Sequence, residues 1–222
     1  MSVSTDDFIK TIFKNEMNEG LDTKPSSIAK SLGITNAAAT DMAQKLAVKN
    51  IVKYEKYKEL KLTKEGERIA LTLLRKHRLW ETFLYKTLNL SLHEIHREAE
   101  MLEHQTSEFL TEKISLFLDH PEYDPHGDPI PQRNGILMKE KNRITLSNAN
   151  EGKNYEVCRL NHSDKEFFDF CTDKDIKVGA LLKVLKQLPD NKMTEVQLKS
   201  STLLLNFDFA KTIQVKPISN NH

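Results

Sequence analysis

Histidine and glutamate side chains recur at helical spacing near the middle of the chain, and both residue types bind divalent metal ions. His96, Glu100, Glu103 and His104 follow an i, i+4, i+7, i+8 pattern, which places two imidazoles and two carboxylates on one helical face. Nitrogen and oxygen donors without a thiolate suit Mn²⁺ or Fe²⁺ better than a copper(I) or sulfur-rich zinc site. A solvated face of charged side chains is the alternative interpretation.

Another pair, His77 and Glu81, has i, i+4 spacing on the preceding predicted helix. The pattern does not fit two other metal chemistries. His93 and His96 are three residues apart, whereas the helix of a zincin protease needs two histidines four apart. A di-iron bundle needs Glu-x-x-His on two helices, which the sequence lacks. Without a phosphate-binding glycine loop or a nucleophile elbow either, the chain is predicted not to be an enzyme.

Charge is divided unevenly along the chain, although the net charge is only +1. Residues 24–78 hold 13 Lys and Arg against 5 Asp and Glu, whereas residues 79–128 hold 3 against 11. Six of the eight histidines also lie between positions 77 and 126. A basic part followed by an acidic, histidine-rich part suggests one partner that is a polyanion and another that is a cation.

The basic part has the spacing of a winged helix-turn-helix. Apolar periodicity predicts helices over 6–18, from Pro25, and over 36–49, with Gly33 at the turn between the last two. Two short strands with a lysine-rich tip follow as a wing. The residues expected to contact DNA bases or phosphates are Thr35, Asn36, Ala37, Thr40, Asp41, Lys45, Lys56 and Lys58. Winged helices also bind proteins, so a docking role is the alternative.

The rest of the chain is predicted to hold a helical part and a small β-barrel. One long helix is expected over 92–118, with Phe109 and Phe117 among its inward-facing side chains. Five short strands after Tyr155 predict the barrel. The expected organisation is a DNA-binding domain (1–75), a helical metal-binding domain (76–131), a polar tether (132–150) and a C-terminal domain (151–222).

Length and composition exclude several classes of protein. The 222 residues are 38% hydrophobic, and no apolar run approaches the roughly 20 residues of a transmembrane helix. The N-terminus carries acids where a signal peptide would carry bases, and two cysteines are too few for a disulfide framework. A cytoplasmic protein that does not contact membranes is expected.

With these residues in hand, the chain resembles the DtxR/MntR family of metal-dependent bacterial repressors over nearly its whole length. Five passages carry the likeness: DDFIKTIF, KYEKYKELKLTKEGERIA, LLRKHRLWETFL, EIHREAEMLEHQTSEFL and the hinge PHGDPIP. The C-terminal strands look like the SH3-like (FeoA-like) domain of the long family members. The resemblance implies a cytoplasmic homodimer that binds a palindromic operator when loaded with Mn²⁺ or Fe²⁺ as co-repressor.

The resemblance also implies which residues bind metal. Its primary site falls on Asp7, Glu100, Glu103 and His104, where Asp7 and Glu100 are the carboxylates of manganese-type members. Its ancillary site falls on His77, Glu81 and His96, closed by Asp164 as first choice or Glu166 as second.

Two departures from the family limit what can be transferred. Short manganese regulators have a glutamate at the position of Lys10, so their paired-metal site does not transfer intact. Ala37 and Asp41 replace the Pro and Gln of iron-type members, so the operator sequence does not transfer either. Two further alternatives stay open: a regulator that responds to a small molecule or to redox state, and a metal-binding enzyme or buffer that does not bind DNA.

Overall fold

The computed structural model describes residues 5–17, 20–138, 142–161, 164–188 and 192–218, and these fall into two compact units. The first comprises the described residues up to His77 together with Leu102–Ser107 and Pro131–Leu137. The second comprises Arg78–Met101, Glu108–Ile130 and the described residues from Met138 onward.

The first unit contains the predicted winged helix-turn-helix. Pro25 occupies the first turn of α2, and Gly33 ends that helix in the left-handed conformation (φ 65°), which glycine adopts without steric cost. Thr35 then caps α3, because its hydroxyl accepts a hydrogen bond from the Ala38 backbone N–H. The elements are α1 (Thr5–Met17), α2 (Pro25–Leu32), α3 (Asn36–Val48), β1 (Val52–Lys53), β2 (Lys61–Leu62) and the first part of α4 (Lys64–Leu88).

The core of this unit forms where the three short helices and the wing meet. Phe8, Ile12, Ile28 and Leu60 are fully buried. Ala39 and Ala43 are also buried on α3, and their small side chains let its backbone approach the other elements closely. The strands of the wing pair antiparallel, with Val52 opposite Leu62.

The second unit contains the end of α4, α5 (Leu92–Leu102) and α6 (Glu108–Phe117). The prediction of one continuous helix over 92–118 is wrong. The chain tightens into a 3-10 turn at Glu103–Gln105, and Thr106 is extended. The Thr106 hydroxyl donates to the Leu102 carbonyl, which satisfies an acceptor left free at the end of α5. The expected inward orientation of Phe109 and Phe117 is also wrong, since they are 73% and 67% exposed.

The C-terminal part forms a six-stranded antiparallel sheet with strand order β3-β8-β4-β5-β6-β7. All five predicted strands are confirmed, and β3 is additional. The sequence reading missed α7 (Lys165–Asp173) and α8 (Phe207–Thr212). The strands are β3 (Ile144–Thr145), β4 (Asn154–Leu160), β5 (Leu181–Leu188), β6 (Met193–Leu198), β7 (Ser201–Asn206) and β8 (Ile213–Pro217).

The prediction of a β-barrel is wrong, because the sheet does not close. Over the described ranges, β3 and β7 are the two edges and do not pair with each other. Helix α8 begins directly after β7, so the chain leaves the sheet at that edge and returns as β8 between β3 and β4.

The predicted tether falls partly outside the described residues, which omit 139–141. After that gap the chain forms β3 and a 3-10 turn over Leu146–Asn148, where Leu146 is fully buried. The domain boundaries stay a prediction. No helix in the described ranges combines the length and hydrophobicity needed to cross a bilayer.

Replacing Gly66 by alanine should destabilise the protein, although alanine normally favours a helix by about 1 kcal/mol. Gly66 lies in α4, and an added Cβ would come within 2.3 Å of the Ile51 carbonyl oxygen. We expect Gly66→Ala to lower the free energy of unfolding by about 1–3 kcal/mol in urea titrations. The exposed control Glu67→Ala should change it by less than about 0.5 kcal/mol. A stabilised Gly66→Ala protein would contradict this close approach.

Candidate metal centres and nucleic-acid interface

A cluster of hard donors in the first unit, called centre 1 here, joins Asp7 of α1 with Glu103 and His104 of the 3-10 turn. His104 Nε2 lies 3.2 Å from Asp7 Oδ1 and 3.6 Å from Glu103 Oε1. The Glu103 side chain is fully buried, whereas Asp7 and His104 are partly exposed. Two carboxylates and one imidazole nitrogen therefore converge at a point that solvent can reach, as a site for a divalent cation requires.

The other ring nitrogen of His104 faces Asp6, a residue that the sequence reading did not single out. His104 Nδ1 lies 3.4 Å from Asp6 Oδ2. Each ring nitrogen of His104 therefore faces a carboxylate, and when a divalent cation takes the place of a proton on Nε2, Asp6 can accept a hydrogen bond from Nδ1. A carboxylate that orients a metal-binding histidine in this way is common in metalloproteins.

Glu103 is held by two further side chains of the same unit. The Lys10 ammonium lies 2.5 Å from one carboxylate oxygen, and His77 Nδ1 lies 2.6 Å from the other. Lys10 is 4% exposed and His77 is 3% exposed, so the contacts are shielded from water. His77 was predicted to belong to the ancillary site; within this unit it contacts Glu103, and its assignment to the ancillary site stays a prediction.

A second cluster, called centre 2 here, lies entirely within the second unit and consists of Glu81, Asp124 and His126. All three are buried, and one ligand atom from each lies within 4.8 Å of the others. His96 borders the cluster, with Nδ1 3.1 Å from Glu81 Oε1. Glu81 and His96 were predicted from the sequence, whereas Asp124 and His126 were missed; both follow helix α6, Asp124 directly before the hinge PHGDPIP and His126 within it. The abundance of histidine up to position 126 and the hinge passage itself were the signals that could have indicated them.

The turn at centre 2 is built by Asp124 itself. One of its carboxylate oxygens accepts hydrogen bonds from the backbone N–H groups of His126 and Asp128, both at 2.9 Å. His126 Nε2 lies 3.2 Å from the Leu92 carbonyl, to which it can only donate. His126 Nδ1 is then directed at Glu81, 3.8 Å from its carboxylate. These bonds orient an imidazole nitrogen and a carboxylate toward each other.

Burial and charge shift the titration of both groups of this turn. Burial, with the neighbouring Glu81 carboxylate, raises the pKa of Asp124 to about 7. Burial alone would lower the pKa of His126, but Glu81 outweighs it and raises that pKa. The two shifts share a cause, because the buried carboxylates of centre 2 disfavour each other's charge and favour a cation beside them.

The remaining predicted ligands lie elsewhere in the second unit. Glu100 Oε1 is 3.7 Å from His96 Nε2. Asp164 caps α7 by accepting from the Phe167 N–H at 3.0 Å, and Glu166 lies in the first turn of that helix. Both are exposed, and neither belongs to a group of three or more metal-capable side chains in the described part of the chain. Their assignment, like that of Glu100 to the primary site, stays a prediction.

The face predicted to contact DNA is exposed along α3 and the wing. Thr35, Asn36, Ala37, Asp41 and Lys45 are exposed, and Thr40 is partly exposed. Two contacts modify this surface. Asp41 and Lys45 form an exposed ion pair at 2.7 Å, and the Thr35 hydroxyl is engaged in capping.

The wing presents two lysines around an exposed aromatic ring. Tyr57 lies in the turn between the two strands of the wing. It is 85% exposed and has a positive φ of 67°. The Lys56 ammonium lies 5.0 Å from the Tyr57 ring centroid, and Lys58 pairs with Glu55. The surface is suited to a phosphate backbone because its cations are long, solvated and close to an aromatic ring.

Comparison with protein families gives three matches in sequence order. Residues 1–60 match the iron dependent repressor N-terminal DNA binding domain, and residues 63–132 match the metal binding and dimerisation domain of that family. Residues 144–217 match the FeoA domain.

Individual proteins agree with these matches. The diphtheria toxin repressor of Corynebacterium glutamicum is 24% identical across 97% of this chain and 96% of its own length. An uncharacterized HTH-type transcriptional regulator of Methanocaldococcus jannaschii is 33% identical across 54% of this chain and 95% of its own length. A solved manganese-dependent transcriptional repressor in complex with manganese is 29% identical, with a TM-score of 0.86 over 97% of this chain and all of that structure.

Removing the Glu103 carboxylate should destabilise the fold even in the absence of metal, and not only weaken metal binding. Glu103→Ala removes the carboxylate that pairs with the buried Lys10 ammonium, and breaking a buried ion pair costs about 3–5 kcal/mol. We expect that loss in the free energy of unfolding of the metal-free protein, measured by urea titration. Adding Lys10→Met should recover much of it, and an unchanged loss in the double variant would contradict the pairing.

Proposed function

Since the chain belongs to the DtxR/MntR family of metal-dependent transcriptional repressors, we propose that it binds a palindromic operator as a homodimer when loaded with Mn²⁺ or Fe²⁺. It would thereby control genes of metal-ion homeostasis. The observation that carries the proposal is the convergence of Asp7, Glu103 and His104 in the same unit as the exposed recognition helix. The metal is the signal, and DNA binding is the response.

The donor sets of both centres fit a hard divalent cation. Centre 1 offers Asp7, Glu103 and His104, and we keep Glu100 as the fourth ligand on the basis of the family resemblance. Centre 2 offers Glu81, Asp124 and His126. Neither set contains sulfur, and carboxylate-rich sites suit Mn²⁺ best, with Fe²⁺ as the alternative. The bound ion supplies positive charge that lets the carboxylates of each centre remain together.

The two centres differ in access, which suggests different roles. Centre 1 is partly exposed, so its ion exchanges readily with the surrounding solution and reports metal availability. Every donor of centre 2 is buried, so its ion exchanges slowly and acts as a structural support. We assign the regulatory role to centre 1 for this reason.

The DNA-binding surface divides into residues that read bases and residues that position the protein. The N-terminal turns of α3 present short polar side chains, Asn36 and Thr40, where a recognition helix meets base edges. Lys56 and Lys58 extend from the wing and would meet phosphates, which fixes the register without reading sequence. The basic balance of residues 24–78 strengthens attraction to DNA at any sequence.

Dimerisation is assigned to helix α6. Phe109, Leu110, Leu116 and Phe117 are exposed apolar side chains on this ten-residue helix. Their burial against a second copy would stabilise a dimer by the hydrophobic effect. Two recognition helices related by a two-fold axis would then lie about 34 Å apart, one turn of DNA.

A redox-responsive regulator is disfavoured by the state of the two cysteines. Cys158 and Cys171 are both buried, and burial raises the pKa of the Cys171 thiol to about 12. A thiol that stays protonated and shielded reacts slowly with oxidants.

The proposal is tested by DNA binding at one fixed salt concentration. Metal-stripped protein is titrated onto fluorescent DNA from upstream of its own gene and of nearby metal-transporter genes, with chelator, Mn²⁺, anaerobic Fe²⁺ or Zn²⁺. We expect tight binding with Mn²⁺ or Fe²⁺ and at least about 100-fold weaker binding with chelator, which corresponds to about 3 kcal/mol. Equal affinity with chelator would remove the metal from the mechanism.

Replacing Asp7 by asparagine should weaken the metal response and leave the fold intact, because Asp7 is partly exposed. Loss of a charged ligand is expected to lower Mn²⁺ affinity at centre 1 by at least about tenfold, measured by metal titration. Glu98→Gln removes one charge from a carboxylate of similar exposure that belongs to neither centre, and this variant should bind Mn²⁺ as the unmodified protein does. An unaltered Asp7→Asn protein would exclude Asp7 as a ligand.

Replacing Lys56 and Lys58 by alanine should weaken binding to every DNA sequence by a similar factor. Each lost phosphate contact reduces the slope of log affinity against log salt by about 1. Affinity is measured for an operator fragment and for unrelated DNA over a range of salt concentrations. A loss confined to the operator would mean that the wing reads bases.

A further inference from the structure

The turn that carries two donors of centre 2 is fixed to strand β4 of the C-terminal sheet. The Leu160 N–H donates to the His126 carbonyl at 2.8 Å, and Arg159 Nη2 lies 2.9 Å from Asp128 Oδ1. From α7, the Phe168 ring packs on the His126 imidazole with a centroid distance of 5.4 Å. Backbone, charge and ring contacts from the sheet domain therefore all reach the same five-residue turn.

Close backbone packing adds a further constraint at the centre of the turn. Gly127 has a positive φ of 88°, and a Cβ added there would lie 2.1 Å from the Cys158 carbonyl oxygen. Only glycine permits both the conformation and this approach. The Gly127 carbonyl in turn accepts a hydrogen bond from Arg143 at 3.0 Å.

An irregularity in β4 makes these contacts possible. The pairing of β4 with β8 shifts register between Val157 and Arg159, so that Cys158 is the extra residue of a β-bulge. A bulge of this kind redirects the side chains and carbonyls that follow it. Here Cys158 contacts Gly127, and Arg159 reaches Asp128.

The Arg159 side chain carries a desolvation cost that the stability of the sheet does not require. Its Nε is buried and has no hydrogen-bond partner within the described residues. An apolar side chain at this position would avoid that cost. Arg78 also approaches the turn, 3.6 Å from Asp124 Oδ2 and 3.4 Å from Asp128 Oδ1. Asp128 therefore anchors the turn between two guanidinium groups, only one of which comes from the sheet domain.

We propose that β4 of the FeoA-type domain positions the second metal centre, with Arg159 as the residue that holds its turn through Asp128. The proposal rests on the assignment of Glu81, Asp124 and His126 as metal ligands. The C-terminal domain then contributes to metal binding by fixing where Asp124 and His126 lie, whether or not it donates a ligand of its own. Arg159 is a positioning residue, since it acts through Asp128 and not on the metal.

The test uses Mn²⁺ and Co²⁺ titrations of the full-length, metal-stripped protein, followed by calorimetry and by the visible spectrum of bound Co²⁺. Arg159→Met removes the charge but keeps an unbranched side chain, and Arg159→Lys keeps the charge. Lys216→Met is the matched control, because Lys216 makes another ion pair with β4, to Glu156 at 3.3 Å, away from the turn. Asp128→Asn tests the same contact from its other end.

We expect Arg159→Met and Asp128→Asn to weaken one of two metal-binding events by about 10–100-fold and to leave the other unchanged. Arg159→Lys should restore part of the loss, and Lys216→Met should have no effect. Equal weakening of both events, or an effect of Lys216→Met as large as that of Arg159→Met, would assign Arg159 a general structural role and overturn the proposal.

The triple variant Glu81→Gln, Asp124→Asn, His126→Gln separates this proposal from the assignment of centre 2. If the unmodified protein binds two ions and the triple variant binds one, centre 2 exists, and a normal Arg159→Met protein then overturns only the positioning role. If the triple variant binds as many ions as the unmodified protein, centre 2 itself is not a metal site and both proposals fall.

Discussion

A buried carboxylate is stable as an anion only with a compensating charge or hydrogen bonds beside it, and this requirement organises both candidate metal centres. Removal of a charge from water is costly unless a partner and hydrogen bonds compensate. Glu103 meets the requirement with Lys10 and His77. Asp124 meets it with Arg78 and with backbone N–H groups of its own turn. In each case the protein supplies part of the positive charge, and a divalent ion is proposed to supply the remainder.

The partial compensation has a consequence for regulation. A cluster fully neutralised by its own lysines and arginines would fold without metal and ignore it. A cluster with no internal cation would not fold until metal bound. Lys10 at centre 1 places this protein between those limits, because it stabilises the buried Glu103, whereas Asp7 and His104 are partly exposed. A regulator that must be folded in both states needs this intermediate design.

Helical spacing in the sequence predicted many of the candidate metal ligands, but not how they are divided between centre 1 and centre 2. The i, i+4 spacing placed His96 beside Glu100, and these side chains do lie 3.7 Å apart, because a helix brings residues four positions apart to the same face. It could not predict the 3-10 turn at Glu103–Gln105, since the side-chain bond from Thr106 that ends α5 leaves no trace in apolar periodicity. Asp124 and His126 were missed because a turn has no period. The winged helix-turn-helix was predicted almost completely because its turn depends on one glycine and one cap.

Coupling between metal and DNA is the central claim, and reciprocity gives its most direct test. If metal strengthens DNA binding by some factor, DNA must strengthen metal binding by the same factor. The measurement is the Mn²⁺ affinity of the metal-stripped protein with and without saturating DNA from its own promoter. The account predicts that DNA raises the Mn²⁺ affinity by at least about 100-fold, and that Asp7→Asn abolishes the difference. The same Mn²⁺ affinity with and without DNA would contradict the account.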